Sequence, residues 1–306
     1  MVDFSLVTDG LQFPEGPVAM PDGSVIVVEI AAGRITRVAP DGTKSTVAEP
    51  GGGPNGLAVG PDGKLYCCNN GGFGWQKDGN GHIMPHETAE DYPGGSIQRI
   101  DIDSGAVETL YTHAGDVPLC GPNDIVFDDA GGFWFTDHGK TGPRARDRVG
   151  VFYAKADGSH IEEAIFPLEN PNGVGLSPDG KTLYVSETYT TMLWAFDVVA
   201  PGKVKTDHLL IHADGRRMLH RPAGFTFFDS LGVEAGGNIC VATIGMCGIS
   251  VVSPEGGLVE FVPTDDIFTT NICWGSEDML TAYVTLSSSG RLVKARWPRP
   301  GLKLAY

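Results

Sequence analysis

The 306-residue chain is short of positive charge: Lys and Arg number 22 against 38 Asp and Glu, a formal net charge of −16 at pH 7. A field of that sign repels phosphate backbones and anionic lipid, so neither nucleic acid nor a membrane surface is an expected partner. Long apolar runs are missing as well, none approaching the ~18 residues of a membrane-spanning helix. The opening Met1-Val2-Asp3-Phe4-Ser5 has no basic region followed by an apolar stretch, and the expectation is a cytoplasmic protein. The six cysteines (Cys67, Cys68, Cys120, Cys240, Cys247, Cys273) form no C-x-x-C pair and two are adjacent, which suits neither a zinc knuckle nor a disulfide framework and predicts free, mostly buried thiols. Walker loop, H-E-x-x-H, G-x-S-x-G and Rossmann glycine motifs are absent, which removes support for nucleotide and zinc-protease chemistry. Only a dispersed Ser-His-Asp triad, having no local signature, escapes this screen.

Turn formers, by contrast, are abundant, with Gly 43 and Pro 21. They punctuate a phrase that recurs six times: a polar residue after Pro or Gly, a short apolar run, a turn, then a second β-rich run. The copies begin at Glu15, Asn55, Asn123, Asn172, Asp229 and Asn271. Turns such as Pro21-Asp22-Gly23, Pro61-Asp62-Gly63 and Pro178-Asp179-Gly180 sit between the two runs and close a hairpin. A second hairpin usually follows, as in Arg34–Val38 and Ser45–Val47, giving four short strands per copy. Such a unit cannot bury both faces alone, and six in a row predict an all-β, six-bladed β-propeller of four-stranded antiparallel blades occupying 1–306 as one domain. The sixth copy stops early, so a strand near Phe4 to Val7 is expected to close the last blade and hide its edge. His208 and His212 fall where an outer strand of blade 4 is expected, and a metal role is not assigned to them.

If the recurring polar residue opens the innermost strand of each blade, Glu15, Asn55, Asn123, Asn172, Asp229 and Asn271 meet at one end of the channel. Any one of them could simply hydrogen-bond a neighbouring loop. Six equivalent positions at one axis favour a ring of oxygen donors, the choice of a hard cation such as Ca²⁺ and, less well, Mg²⁺ or Mn²⁺, whereas zinc prefers nitrogen or sulfur. By strand order the connections between second and third strands crown the same end. The longest, Asn69 to Gly95, carries Trp75, His82 and His86 and reads as a lid. The third-blade connection brings Asp137, His138, Lys140, Arg144 and Arg146, and shorter ones bring Glu29, Glu187 with Tyr189, Met246 with Cys247, and Ser287. A mixed aromatic and polar wall of this kind describes a small-molecule pocket.

The segments Phe13-Pro14-Glu15-Gly16-Pro17, Pro122-Asn123-Asp124 and Pro171-Asn172-Gly173, with the phrase at Asp229, resemble the regucalcin (senescence marker protein), gluconolactonase and luciferin-regenerating-enzyme family over nearly the whole chain. The resemblance implies a six-bladed propeller with one divalent cation in its channel and lactone hydrolase activity. Carried over, the metal ligands fall on Glu15, Asn123, Asn172 and Asp229, positions that the related diisopropylfluorophosphatase pattern also uses. That pattern has a histidine where this chain has Ser287. The sugar-lactonase members have an arginine where this chain has Gly121, a departure that tells against a sugar-acid lactone.

The expected reaction is opening of a small lactone or ester by a metal-polarised carbonyl and an activated water. Ca²⁺ is the expected cation, with Zn²⁺, Mg²⁺, Mn²⁺ or Fe²⁺ as alternatives. Asp229 is the first choice of base, with His138 or Asp124 in reserve. Asn123, Asn55, Asn271, Trp75, Tyr189 and Met246 are the expected substrate contacts, in a monomer or small homo-oligomer. The rival readings are a phosphotriesterase-like hydrolase on the same metal and a non-catalytic calcium-binding propeller.

Overall fold

The computed structural model describes residues 2–206 and 215–306; His208 and His212 lie outside the described residues. The molecule is an all-β, six-bladed β-propeller of mostly four-stranded antiparallel blades. The innermost strands are Pro14–Ala19, Pro54–Val59, Pro122–Phe127, Pro171–Leu176, Phe227–Val233 and Thr269–Gly275. Each of them packs against the next and the last against the first, which closes the ring. Ser5–Thr8 pairs antiparallel with Arg291–Arg296 and forms the outer strand of blade 6. No described helix is long and apolar enough to cross a membrane.

The second strands, such as Val25–Glu29 and Gly132–Asp137, are buried throughout because each sheet is covered on both faces by its neighbours. The core therefore lies between blades. Trp134 and Val151 of blade 3, for example, pack with Val174, Leu183 and Phe196 of blade 4. All six cysteines are free thiols, with Cys67, Cys68 and Cys240 buried.

Four of the innermost strands begin with proline (Pro14, Pro54, Pro122, Pro171). Proline suits a first strand residue because it offers no N–H that would need a ladder partner. In every blade the pairing of innermost and second strand then slips by one residue, between Glu15 and Val18, Pro54 and Leu57, Pro122 and Ile125, Pro171 and Val174, Phe228 and Leu231, and Thr269 and Asn271. These six bulges fall on or beside the six recurring polar residues, where an extra residue re-aims a side chain. Glycine lets neighbouring innermost strands close in at the same level. A Cβ at Gly16, whose φ is +50°, would stand 2.4 Å from the Asn55 carbonyl oxygen, and one at Gly56 would stand 2.3 Å from that of Asn123.

The C-terminal tail fastens two blades. Trp297 Nε1 and Arg299 Nε each donate at 2.7 Å to the buried Glu234 carboxylate, and Leu302 N donates to Val233 O.

Candidate active site at the channel end

The six recurring residues stand at equivalent places around the axis. Glu15, Asn55, Asn123, Asn172 and Asn271 are buried, and Asp229 keeps part of its surface open. Asn271 Nδ2 of blade 6 donates to Glu15 Oε2 of blade 1 at 2.7 Å. Ser230 Oγ donates to Asn172 Oδ1 at 3.3 Å, and Asn172 also hydrogen-bonds the Asp229 carboxylate, linking blades 4 and 5. Asp124, beside Asn123, accepts Ile125 N at 2.9 Å and Val174 N at 3.3 Å, tying blade 3 to blade 4.

Charge is concentrated here without a cationic side chain to balance it. Burial lifts the Glu15 carboxyl to about 7, against the opposing hydrogen bonds of Asn271 and Gly16. Burial, then the charge of Glu15, lifts Asp124 to about 8. The same two causes push Asp229 well above the ordinary carboxylate range, so its carboxyl is desolvated although the residue is not fully enclosed. Two buried oxygens at this level, Glu15 Oε1 and Asn123 Oδ1, have no hydrogen-bond partner. Buried polar atoms are ordinarily paired, so unpartnered acceptors beside mutually repelling carboxylates fit a hard cation. Among the described residues no group of three or more His, Cys, Asp and Glu side chains is arranged to hold a metal ion. The four positions singled out from the sequence as ligands include only two such residues, Glu15 and Asp229, the others being asparagines.

The crown of loops corrects part of the expected pocket. Glu29, Asp137 and Glu187 are buried and serve the backbone that leads into their own blades. Glu29 accepts Gln12 N at 2.8 Å, Glu187 accepts Glu169 N at 2.8 Å, and Asp137 accepts the N–H groups of Cys120, Gly121 and Gly139 at 2.7, 2.6 and 2.8 Å. Asn69 plays the same part in blade 2, accepting Gly53 N at 2.9 Å. All four lie directly across the ladder from the prolines that open the innermost strands. Ser287 is spent in the same way, donating to Pro14 O. This row of staples was missed in the sequence. Its available signal was a polar residue ending the second strand in blades 1 to 4, opposite lead-ins such as Gly51-Gly52-Gly53.

The insertion forms a hairpin, Phe73–Lys77 with Ile83–Thr88, that reaches across blade 1 to blade 6. Trp75 packs on Phe13 at 5.1 Å between ring centroids, Phe13 packs on Phe268 at 5.7 Å, and Ile83 N donates to Ser288 O at 3.0 Å. Lys140 of blade 3 is buried beneath the insertion, donating to Gly72 O at 2.8 Å with its ammonium 4.1 Å from the centre of the Phe73 ring. His82 is half-buried and His86 exposed, facing Asp78 and Glu87 respectively. His138 is half-buried; burial, then the charges of Lys140 and Arg146, lowers it to about 4, so it is neutral near pH 7. Its ring lies 6.2 Å from that of Tyr189, which is exposed, as is Met246.

Fold and site together define a six-bladed propeller with an oxygen-donor ring at one end of its channel. The sequence profile of the SMP-30/Gluconolactonase/LRE-like region matches residues 13–288, and the chain belongs to that family. It is 25% identical over 317 residues to a gluconolactonase of Zymomonas mobilis, covering 95% of this chain and 80% of that protein. It is 28% identical over 250 residues to the lactonase drp35 of Staphylococcus haemolyticus, covering 81% and 68%. Among solved structures, a gluconolactonase from Xanthomonas campestris superposes with TM-score 0.76 at 21% identity over 97% of this chain and 90% of that one. A regucalcin from Agrobacterium tumefaciens, described as a calcium-binding protein, superposes with TM-score 0.72 at 17% identity over 96% and 95%. Family membership supports a hydrolytic, lactonase-type activity.

Proposed function

We propose that this protein is a lactonase dependent on a divalent cation, Ca²⁺ by the hardness of its donors, held by Glu15, Asn123, Asn172 and Asp229. The observation that carries the reading is the pair of buried, unpartnered oxygens, Glu15 Oε1 and Asn123 Oδ1, at the level where Asp124 and Asp229 also sit. When bound, such a cation supplies a Lewis acid for a lactone carbonyl and acidifies water. The neutral amides add donors without adding negative charge, which preserves that electrophilicity.

The chain's own groups divide the remaining work. Asp124 spends its oxygens on Ile125 N and Val174 N, which makes it a spacer between two innermost strands. Asp229 is the ring carboxylate with open surface and is the proton acceptor for an attacking water. Asn271 orients Glu15 through its 2.7 Å hydrogen bond. His138, uncharged near pH 7 and close to Tyr189, offers a ring nitrogen to the substrate from the rim. Trp75 roofs the blade 1 side through its contact with Phe13.

The test is a rate assay on chelated protein with metals restored singly, over sugar, aliphatic and aromatic lactones and a phosphotriester. Lactone opening that vanishes on chelation and returns with Ca²⁺ supports the proposal. Undiminished turnover in metal-free protein overturns it.

A further inference from the structure

The blade 4 to blade 6 side of the channel mouth is apolar and open. Tyr189 is 44% exposed and Phe225 88% exposed, and both rings meet Phe227, at 5.8 and 5.0 Å. Such large aromatic surface left in water is costly unless something covers it in function. Met246 and Ile267 are exposed too. The loops that carry these residues converge: Gly245 N donates to Ile267 O at 3.0 Å, and a Cβ on Gly245 would stand 3.9 Å from Phe225 O. The rim is also braced. The Arg146 guanidinium stacks on one face of the Tyr189 ring at 4.4 Å from its centre and pairs with Glu169 at 3.3 Å, which fixes the ring's position.

The position of this surface selects its occupant. Phe227 precedes Asp229 by two residues on the same innermost strand, so the apolar rim begins roughly 7 Å from the oxygen-donor ring along the strand. Resting on the lactonase reading above, we propose that Tyr189, Phe225 and Phe227 form the subsite for a hydrocarbon substituent on the lactone ring. The preferred substrate class is then an alkyl- or aryl-substituted lactone instead of a polyhydroxylated one. At Gly121 a Cβ would stand 2.9 Å from Gly139 O, so the blade 3 wall carries no side chain, and hence no polar group, at that position.

The experiment measures kcat/KM of the calcium-loaded protein over γ-lactones of increasing alkyl length, for wild type and for Phe225→Ser and Tyr189→Ser. The expected wild-type rise is roughly two- to fourfold per methylene until the rim is covered. The ratio of long-chain to unsubstituted kcat/KM should fall at least tenfold in the variants, mainly through KM. A flat wild-type series, or variants that keep the rise, overturns the proposal. So does a dimer in light scattering that Phe225→Ser disperses, since the rim would then be a contact between two copies. If no lactone is opened, the lactonase reading fails by itself. Calorimetric binding of a long-chain 4-hydroxy acid then still reads the rim: binding that both variants lose supports it, and no binding overturns it.

Discussion

Two sets of acidic and amide side chains crowd the same end of this propeller and behave oppositely. The ring at the axis, Glu15 and Asp229 above all, is desolvated and mutually repelling, with an unpartnered oxygen on Glu15. One strand outward, Glu29, Asn69, Asp137 and Glu187 are just as buried but turned toward backbone N–H groups. Residue type, burial and strand end are shared, so none of these separates function from architecture. What separates them is whether the oxygens are satisfied from within. Satisfied carboxylates hold the lead-in loops; unsatisfied ones keep a destabilising field that protonation or, on the proposed reading, a bound cation would relieve.

Substitution should break the symmetry between the two sets. Glu15→Gln or Asp229→Asn is expected to lower lactone hydrolysis by roughly 10²–10⁴-fold. Melting temperature should hold or rise, because the repulsion between them is removed; a folded variant with wild-type rates would sink the assignment. Asp137→Ala strips three backbone donors of their acceptor and should cost about 3 kcal/mol of stability, read by urea unfolding, while activity per folded molecule changes far less. Saturating Ca²⁺ should raise the melting temperature of chelated wild type by roughly 3–8 °C. The rise should disappear in Glu15→Gln and persist in Glu29→Gln.

A separate, pH-dependent effect concerns the cation among the staples. Burial lowers Lys140 to about 7, with Asp137, Asp147 and Cys120 opposing the shift. A lysine whose folded pKa lies below its unfolded one binds fewer protons when folded, so wild-type stability rises with pH between about 7 and 10. Lys140→Met lacks this gain. The stability of wild type relative to the variant should therefore improve across that window, and a constant difference would contradict the burial of a titrating amine.

The repeat, the Pro-Asp-Gly turns and the positions of the ring residues were legible because they are local patterns. The bulge at each ring residue was not, since it exists only as a register between two strands. Glu29, Asp137 and Glu187 were assigned to the pocket because strand order brings them to the correct end. Strand order does not say whether a carboxylate faces the channel or the N–H groups beside it. The insertion illustrates a similar gap: its length suggested a cover, but nothing local to Asn69–Gly95 announced that Trp75 rests on Phe13 or that Lys140 anchors Gly72. Trp297 and Arg299 follow the last strand of the repeat and belong to no copy of it, and their partner Glu234 lies in another blade.

Calorimetric titration of Ca²⁺ into chelated protein, run in parallel on wild type, Glu15→Gln and Glu29→Gln, tests the distinction between the two sets most directly. One equivalent should bind to wild type and to Glu29→Gln and none to Glu15→Gln. Binding that survives Glu15→Gln, or no binding to wild type, would contradict the assignment of the axial oxygens to a cation.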